Sequence, residues 1–472
     1  MTYVLCCSDH SNPAPLSATA TTITGLCADP TLLSTVPDDA DRLVLGLHLA
    51  DADLSRFQAS MRKLGFDPLG VGIVDLTHFT TPAAVEIVLA GVIARTEAFA
   101  GATPEQIKLE PAGRISRRSL LSALALLSIG APAIDHDLCV ARDGCRACVV
   151  ACPVDALSWR GGVVEYDKTV CVTCGICITT CPTGAVVNPT ITREGIEAQI
   201  RAIIETAAVP PGIRFVCRTA EPRNRPGFFD VGVACTGMLT PGWLLAPLTL
   251  GAASVDALSC DQGGCRLENE GQLATAVTDA RTVLTTLGIE KERIAGDPRP
   301  GLLPLGAVAS PGILAPGADT RVIRELARLV GVTDAKADLR SAQLGTIHID
   351  PTTCTACRMC AHLCPTDALS SASLLDGIVI DFDPGACVGC SQCLTICPEI
   401  ERGAISLEIR FDLQDWENGR REVRRDTAPR CERCGKPIAP SAMLDRITAM
   451  LGPEHAKTLE LLTTLCLDCR GR

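Results

Sequence analysis

Short apolar runs alternate with amphipathic stretches from the start of this 472-residue chain. Residues 41–47 carry Leu43, Val44, Leu45 and Leu47 in an almost unbroken apolar run that predicts a buried strand. Residues 53–64 have helical spacing closed by Gly65, and residues 69–76 predict another strand. Residues 1–80 therefore read as a small α/β unit, and 81–136 as a helical lead-in. A helical pattern over 190–208 stops before Pro210-Pro211-Gly212, a domain boundary. Beyond it, strands predicted at 214–217, 231–235 and 253–259 are followed by a helix over 268–287 ended by Gly288. That alternation predicts a parallel sheet, with cysteines at the strand ends converging on one edge. Residues 296–345 are rich in proline and glycine up to Pro316-Gly317 and then predict a helix over 320–329, as a linker with a docking helix would. The charged run 412–426 reads as a solvated connector.

Composition narrows the picture. A length of 472 residues implies three or four cores, since single cores stop growing at about 250–300 residues. Only 3% of residues are aromatic, so Ala, Leu, Val, Ile and ligated cysteine must fill the interior. A net charge of −11 argues against a nucleic-acid partner, because phosphate binding needs a basic surface. The 27 cysteines repeat a C-x-x-C spacing rather than the pattern of a short secreted disulfide scaffold, which points to soft-metal sites assembled in a reducing, cytoplasmic compartment. Residues 1–7 lack the basic region of a signal peptide. Ser116-Arg117-Arg118-Ser119-Leu120-Leu121 and the apolar run after it have the look of a twin-arginine export signal. They lie far from the N-terminus and are read as an ordinary apolar helix or lead-in, shorter than the roughly 20 residues that span a bilayer.

Cys171, Cys174, Cys177 and Cys181-Pro182 form an iron–sulfur signature, in which three thiolates spaced by two residues take three corners of one cubane and the fourth points to a second cluster. The run recurs as Cys354, Cys357, Cys360, Cys364-Pro365 and as Cys387, Cys390, Cys393, Cys397-Pro398. A looser copy, Cys139, Cys145, Cys148, Cys152-Pro153, precedes the first. Each pair of runs flanks a predicted hairpin, at 162–167 and 377–383. Residues 137–190 and 346–410 each resemble a bacterial two-cluster ferredoxin. The resemblance implies a crossed ligand set in each unit: Cys139, Cys145, Cys148 with Cys181, and Cys171, Cys174, Cys177 with Cys152; then Cys354, Cys357, Cys360 with Cys397, and Cys387, Cys390, Cys393 with Cys364. Four 4Fe–4S clusters follow from it. The departure is the three-residue insertion between Cys139 and Cys145. His362, between two ligands at a variable position, is expected to face solvent.

Between the two units, Cys235-Thr236-Gly237, the loop from Cys260 to Cys265 and Leu287-Gly288-Ile289-Glu290 resemble the delta subunit of methyl-viologen-reducing hydrogenase over residues 213–295. That resemblance implies a 2Fe–2S cluster on Cys217, Cys235, Cys260 and Cys265, passing electrons from a partner oxidoreductase. At the N-terminus, Cys6-Cys7 and Cys27 resemble the opening of the flavin-bearing subunit of heterodisulfide reductase. The usual C-x-C-G is replaced by Cys6-Cys7-Ser8, and Leu47-His48-Leu49 stands where a later cysteine is expected, so these cysteines read as buried structural thiols. In the tail, 411–472, Cys431, Cys434, Cys466 and Cys469 form two C-x-x-C knuckles, a closed thiolate set for zinc in a zinc-ribbon-like fold. A rubredoxin-like iron site has the same spacing but an aromatic core, and no Phe, Tyr or Trp lies between Cys434 and Cys466.

The expected architecture is thus an α+β and α/β multidomain chain: two ferredoxin-like dicluster domains, a small parallel-sheet domain and a C-terminal zinc knuckle. Residues 70–75 lack the third glycine and the helix start of a dinucleotide loop, and the seven histidines form no cluster with carboxylates. The leading expectation is a cytoplasmic electron-transfer subunit without a substrate site of its own. It would serve catalytic oxidoreductase subunits of a heterodisulfide-reductase-like, hydrogenase or formate-dehydrogenase assembly, with a ferredoxin or flavoprotein as a further partner. The alternatives are a thiol/disulfide-reducing enzyme and a free polyferredoxin.

Overall fold

Apolar residues on both faces make β1 (Thr2–Cys7) a central strand. In the computed structural model, which describes residues 1–8, 20–49, 52–79, 81–111, 126–220, 225–260, 267, 270–296, 302–308 and 311–470, β1 lies between β2 (Ala20–Ile23) and β3 (Arg42–Leu47), with β4 (Gly72–Asp75) beyond β3. All neighbours are parallel. Alternate residues face opposite sides. Leu5 and Cys7 pack with Phe57 and Met61 of α1 (Leu54–Lys63), while Val4 and Cys6 pack with Val85 and Leu89 of α2 (Pro82–Glu97). The result is a three-layer α/β unit.

The lead-in is helical only through α2. Ile107–Pro111 pairs antiparallel with Leu126–Gly130, so the described end of the apolar run is a strand rather than a helix. A short apolar run does not by itself distinguish the two. Arg117, Arg118 and the start of that run lie outside the described residues.

A second parallel sheet forms the centre of the molecule. β5 (Gly212–Cys217) lies between β6 (Phe228–Val233) and β7 (Ser254–Leu258), as the alternation of strands and helix predicts. It is packed among α3 (Arg193–Thr206), α4 (Pro241–Leu250) and α5 (Glu270–Thr286) in one large apolar core containing Ile200, Phe215, Leu245 and Leu284. Arg95 of α2 ties the first unit to this one by donating to Gln199 Oε1 and to the Gly232 carbonyl, each at 2.9 Å, and to the Thr190 carbonyl.

The helix expected over 320–329 is present and docked, whereas the reading of 412–426 as a solvated connector is corrected. Within the expected linker, α6 (Ala318–Val330) buries Val322, Ile323 and Leu326 in the central core. Asp319, almost fully buried, accepts hydrogen bonds from the Thr240 hydroxyl at 2.6 Å, Gly242 N at 2.5 Å and Gln343 N. Within the expected solvated connector, Leu413 and Trp416 lie in that same core, and Arg421–Thr427 joins the hairpin of Leu369–Ser373 and Gly377–Phe382 as a third strand. Charged residues were abundant enough to hide a few apolar anchors. The tail also departs from a ribbon: helices Ser441–Leu451 and Ala456–Thr464 separate its two knuckles.

Candidate metal centres

The cysteine runs fold as tight loops whose backbone turns main-chain N–H groups toward sulfur. The second residue after the first cysteine has positive φ in three of them: Thr173 (+55°), Ala356 (+52°) and Gly389 (+62°). Thr173 N donates to Cys171 Sγ at 3.3 Å, and Ala356 N to Cys354 Sγ at 3.4 Å. Left-handed backbone is costly for a side chain, so its repetition at matched positions marks a constraint beyond chain packing. After the proline that follows the fourth cysteine, Asp155 and Asp367 take the same conformation, and Ala156 N reaches Cys152 Sγ at 3.2 Å while Leu369 N reaches Cys364 Sγ at 3.4 Å. Such N–H···S bonds favour a charged sulfur. The first run differs where its spacing predicts: the insertion makes a short 3-10 turn, Val140–Asp143, ended by Gly144 at φ +91°. Trp159 holds it by donating to the Ala141 carbonyl at 2.9 Å.

In the second unit, three cysteines of one run gather with the fourth of its neighbour. Cys354, Cys357, Cys360 and Cys397 line one small cavity; Cys364, Cys387, Cys390 and Cys393 line another. In the first unit, burial and then the neighbouring charges of Cys181, Cys145 and Cys139 push the Cys148 thiol up to about 12. Cys177 is pushed up by burial and then by Cys174, Cys171, Cys148 and Cys152. In the second unit the two cavities hold the same cysteines as the two crossed sets; in the first, Cys177 also feels Cys148 of the other set. Four partly or fully buried thiolates so close together are costly to ionise without a cation among them, so each donor set fits an iron–sulfur cluster. His362 is exposed, as expected.

At the carboxyl edge of the central sheet, Cys217 ends β5, Cys235 follows β6 and Cys260 follows β7; all three are buried. Cys265 lies outside the described residues. Hydrogen bonding from Cys235 holds the Cys217 thiol well below its ordinary value, and Gly237 N donates to Cys235 Sγ at 3.3 Å. This edge abuts the first ferredoxin unit: Arg218 Nη2 donates to the Val172 carbonyl at 3.0 Å, and a Cβ on Gly175 would stand 2.8 Å from Met238 Sδ. The two ferredoxin units meet in turn, where Gln392 Nε2 donates to the Gly144 carbonyl at 2.9 Å. In the tail, the sulfurs of Cys431, Cys434, Cys466 and Cys469 lie within 4.8 Å of one another, with Cys434 and Cys466 3.5 Å apart. One further group, Cys7, Cys27 and His48, comes together in the N-terminal unit. Its histidine had no signal in the sequence beyond standing at a position where a cysteine was expected.

Residues 139–185 and 353–402 each match the 4Fe-4S dicluster domain family, and residues 223–297 match the family described as methyl-viologen-reducing hydrogenase, delta subunit. No curated protein matches the chain. The chain is an iron–sulfur electron-transfer protein. Its residues 223–297 are related to the hydrogenase delta subunit, and its two dicluster domains imply four 4Fe–4S clusters. Cys217 precedes the stretch matched to the delta subunit, whereas Cys235, Cys260 and Cys265 fall within it. Among the described residues no helix is long and apolar enough to cross a membrane.

Proposed function

We propose that the chain is a relay subunit that carries single electrons between the delta-like edge and the far end of the second ferredoxin unit, on behalf of cytoplasmic catalytic oxidoreductase subunits. Partners of the heterodisulfide-reductase, hydrogenase or formate-dehydrogenase type, or a ferredoxin or flavoprotein, fit this reading. The 4Fe–4S ligands are the four crossed sets, beginning at Cys139, Cys171, Cys354 and Cys387. Cys217, Cys235, Cys260 and Cys265 hold a 2Fe–2S cluster, and the C-terminal knuckle holds zinc. Each iron–sulfur cluster supplies a one-electron redox centre whose potential depends on burial and hydrogen bonds to sulfur.

The observation that carries the proposal is an unbroken succession of neighbouring cysteine sets. Cys235 is raised by its hydrogen bond with Cys217 and by burial, and also feels the charge of Cys174. Cys177 feels Cys148. Burial, then Cys364 and, from the other ferredoxin unit, Cys145 push Cys390 up to about 11. Cys393 feels Cys360. The succession runs from the Cys235 edge to the Cys171 set, the Cys139 set, the Cys387 set and the Cys354 set. Main-chain N–H groups fix several of the sulfurs, while Gly175 and Gln392 keep the junctions short.

The test is iron, sulfide and zinc analysis of the purified chain, with electron paramagnetic resonance of its reduced form. About 18 irons are expected for four cubanes and one 2Fe–2S cluster; about 16 would remove the latter. The chain should shuttle electrons between dyes. Reduction of a disulfide by the isolated chain would overturn the relay reading in favour of an enzyme.

A further inference from the structure

The N-terminal sheet has donors at its own carboxyl edge that the relay does not use. β1 ends on Cys7, the turn after β2 carries Cys27, and His48 follows the last residue of β3. These three strands are neighbours in the order β2, β1, β3, and parallel strands bring their ends to one side, where open α/β sheets place their sites. The sulfurs of Cys7 and Cys27 and a ring nitrogen of His48 lie within 4.8 Å of one another, and all three residues are buried. Cys27 Sγ stands 3.6 Å from His48 Nδ1 and accepts the main-chain N–H of His48 at 3.2 Å.

The backbone selects these donors. Gly25, at φ +81°, lets the chain turn back after β2, and the N–H groups of Ala28 and Asp29 both bond to its carbonyl. Cys27 is thereby set over the end of β1. Because successive strand residues face opposite sides, Cys7 joins Cys27 in the core beneath α1, whereas Cys6 points into the core beneath α2. A Cβ on Gly46 would come within 2.7 Å of the Cys6 sulfur, so that side is filled. Only one of the two adjacent cysteines belongs to the group.

We propose that Cys7, Cys27 and His48 bind one zinc ion. Zinc bonded to sulfur at about 2.3 Å and to nitrogen at about 2.05 Å gives a tetrahedral S···N edge of about 3.6 Å. The Cys27 to His48 separation is 3.6 Å. A cubane places its thiolates on separate irons and needs them farther apart than one ion does. Charge agrees with geometry. Two thiolates and a neutral imidazole balance the two positive charges of the ion, so the buried site carries no net charge. Four thiolates would leave two negative charges without compensation. Three donors meet here among the described residues, and a fourth ligand completes the tetrahedron.

The experiment counts zinc and iron in the full-length chain with the C-terminal knuckle disabled by Cys434→Ser and Cys466→Ser. About one zinc per chain is expected to remain. It should be lost when Cys27→Ser or His48→Gln is added and kept when Cys6→Ser is added, since Cys6 is equally buried on the opposite face of the sheet. Iron should be unchanged throughout, which also reports that the altered chains have folded. No zinc in the knuckle-disabled chain, zinc retained with Cys27→Ser, or iron lost in its place would overturn the proposal. If the Cys27→Ser chain does not accumulate, X-ray absorption at the zinc edge of the knuckle-disabled chain decides: two sulfurs with an imidazole are expected, and an all-sulfur shell overturns the assignment. Zinc reads this site and iron reads the relay, so the two proposals fail separately.

Discussion

In both parallel sheets a six-residue central strand ends on a cysteine, Cys7 in β1 and Cys217 in β5, and the flanking strands bring further donors to that same edge. Their surroundings differ. Cys235, beside Cys217, feels the charge of Cys174, and the loop of Gly175 packs on Met238. The N-terminal group consists, among the described residues, of Cys7, Cys27 and His48 alone. A redox centre must stand next to another to exchange electrons, whereas a lone divalent ion needs only charge balance. In the proposed reading, one piece of sheet geometry serves a relay in one place and a static ion in the other, according to what is packed against its edge.

The sharpest way to break this contrast is to remove the neighbour. Cys152→Ser is expected to destroy the cluster of Cys171, Cys174 and Cys177, with a loss of about four irons per chain, and to cut the delta-like edge off from electrons entering at the second ferredoxin unit. Electron paramagnetic resonance should show the Cys139 set retained; loss of that set's signal instead would refute the crossing. Cys235→Ser should cost about two irons, while Cys7→Ser costs none. A fall in iron with Cys7→Ser would erase the distinction between the edges.

Smaller effects sharpen the comparison. Phe57→Ala empties a fully buried site beneath the N-terminal edge and should destabilise that unit by about 3–5 kcal/mol in denaturant titration, with the iron count unchanged. Gly175→Ala puts a side chain on left-handed backbone and against Met238. About 1–2 kcal/mol of strain is expected, read as slower reduction of the delta-like edge in stopped flow. Asp53 caps α1 by accepting from Ser55 and Arg56 N–H, and Asp53→Ala should cost about 1 kcal/mol in thermal unfolding. Its hydrogen bond with the Ser55 hydroxyl, then its main-chain bonds, hold the Asp53 carboxyl below the ordinary range. The cap's contribution is therefore complete above the unfolded value, near pH 4, and is lost as pH falls through the folded one. Asp53→Ala should flatten that part of the acid-unfolding curve.

The iron–sulfur chemistry was legible in the residues themselves. Cluster ligation is local along the chain, so spacing and the proline after each fourth cysteine suffice to mark the runs, and strand–helix alternation suffices to mark a parallel sheet with cysteines at its edge. Residues 413–418 were misjudged because a handful of apolar anchors among charged residues has no distinctive period until a core is present to receive them, whereas the apolar stripe of 320–329 already marked a docking helix. The order of the cysteine sets, the contact between Gly144 and Gln392, and the meeting of Cys7, Cys27 and His48 were decided by the tertiary structure. Each joins residues far apart along the chain, and only the packing of whole sheets and loops brings such residues within bonding range.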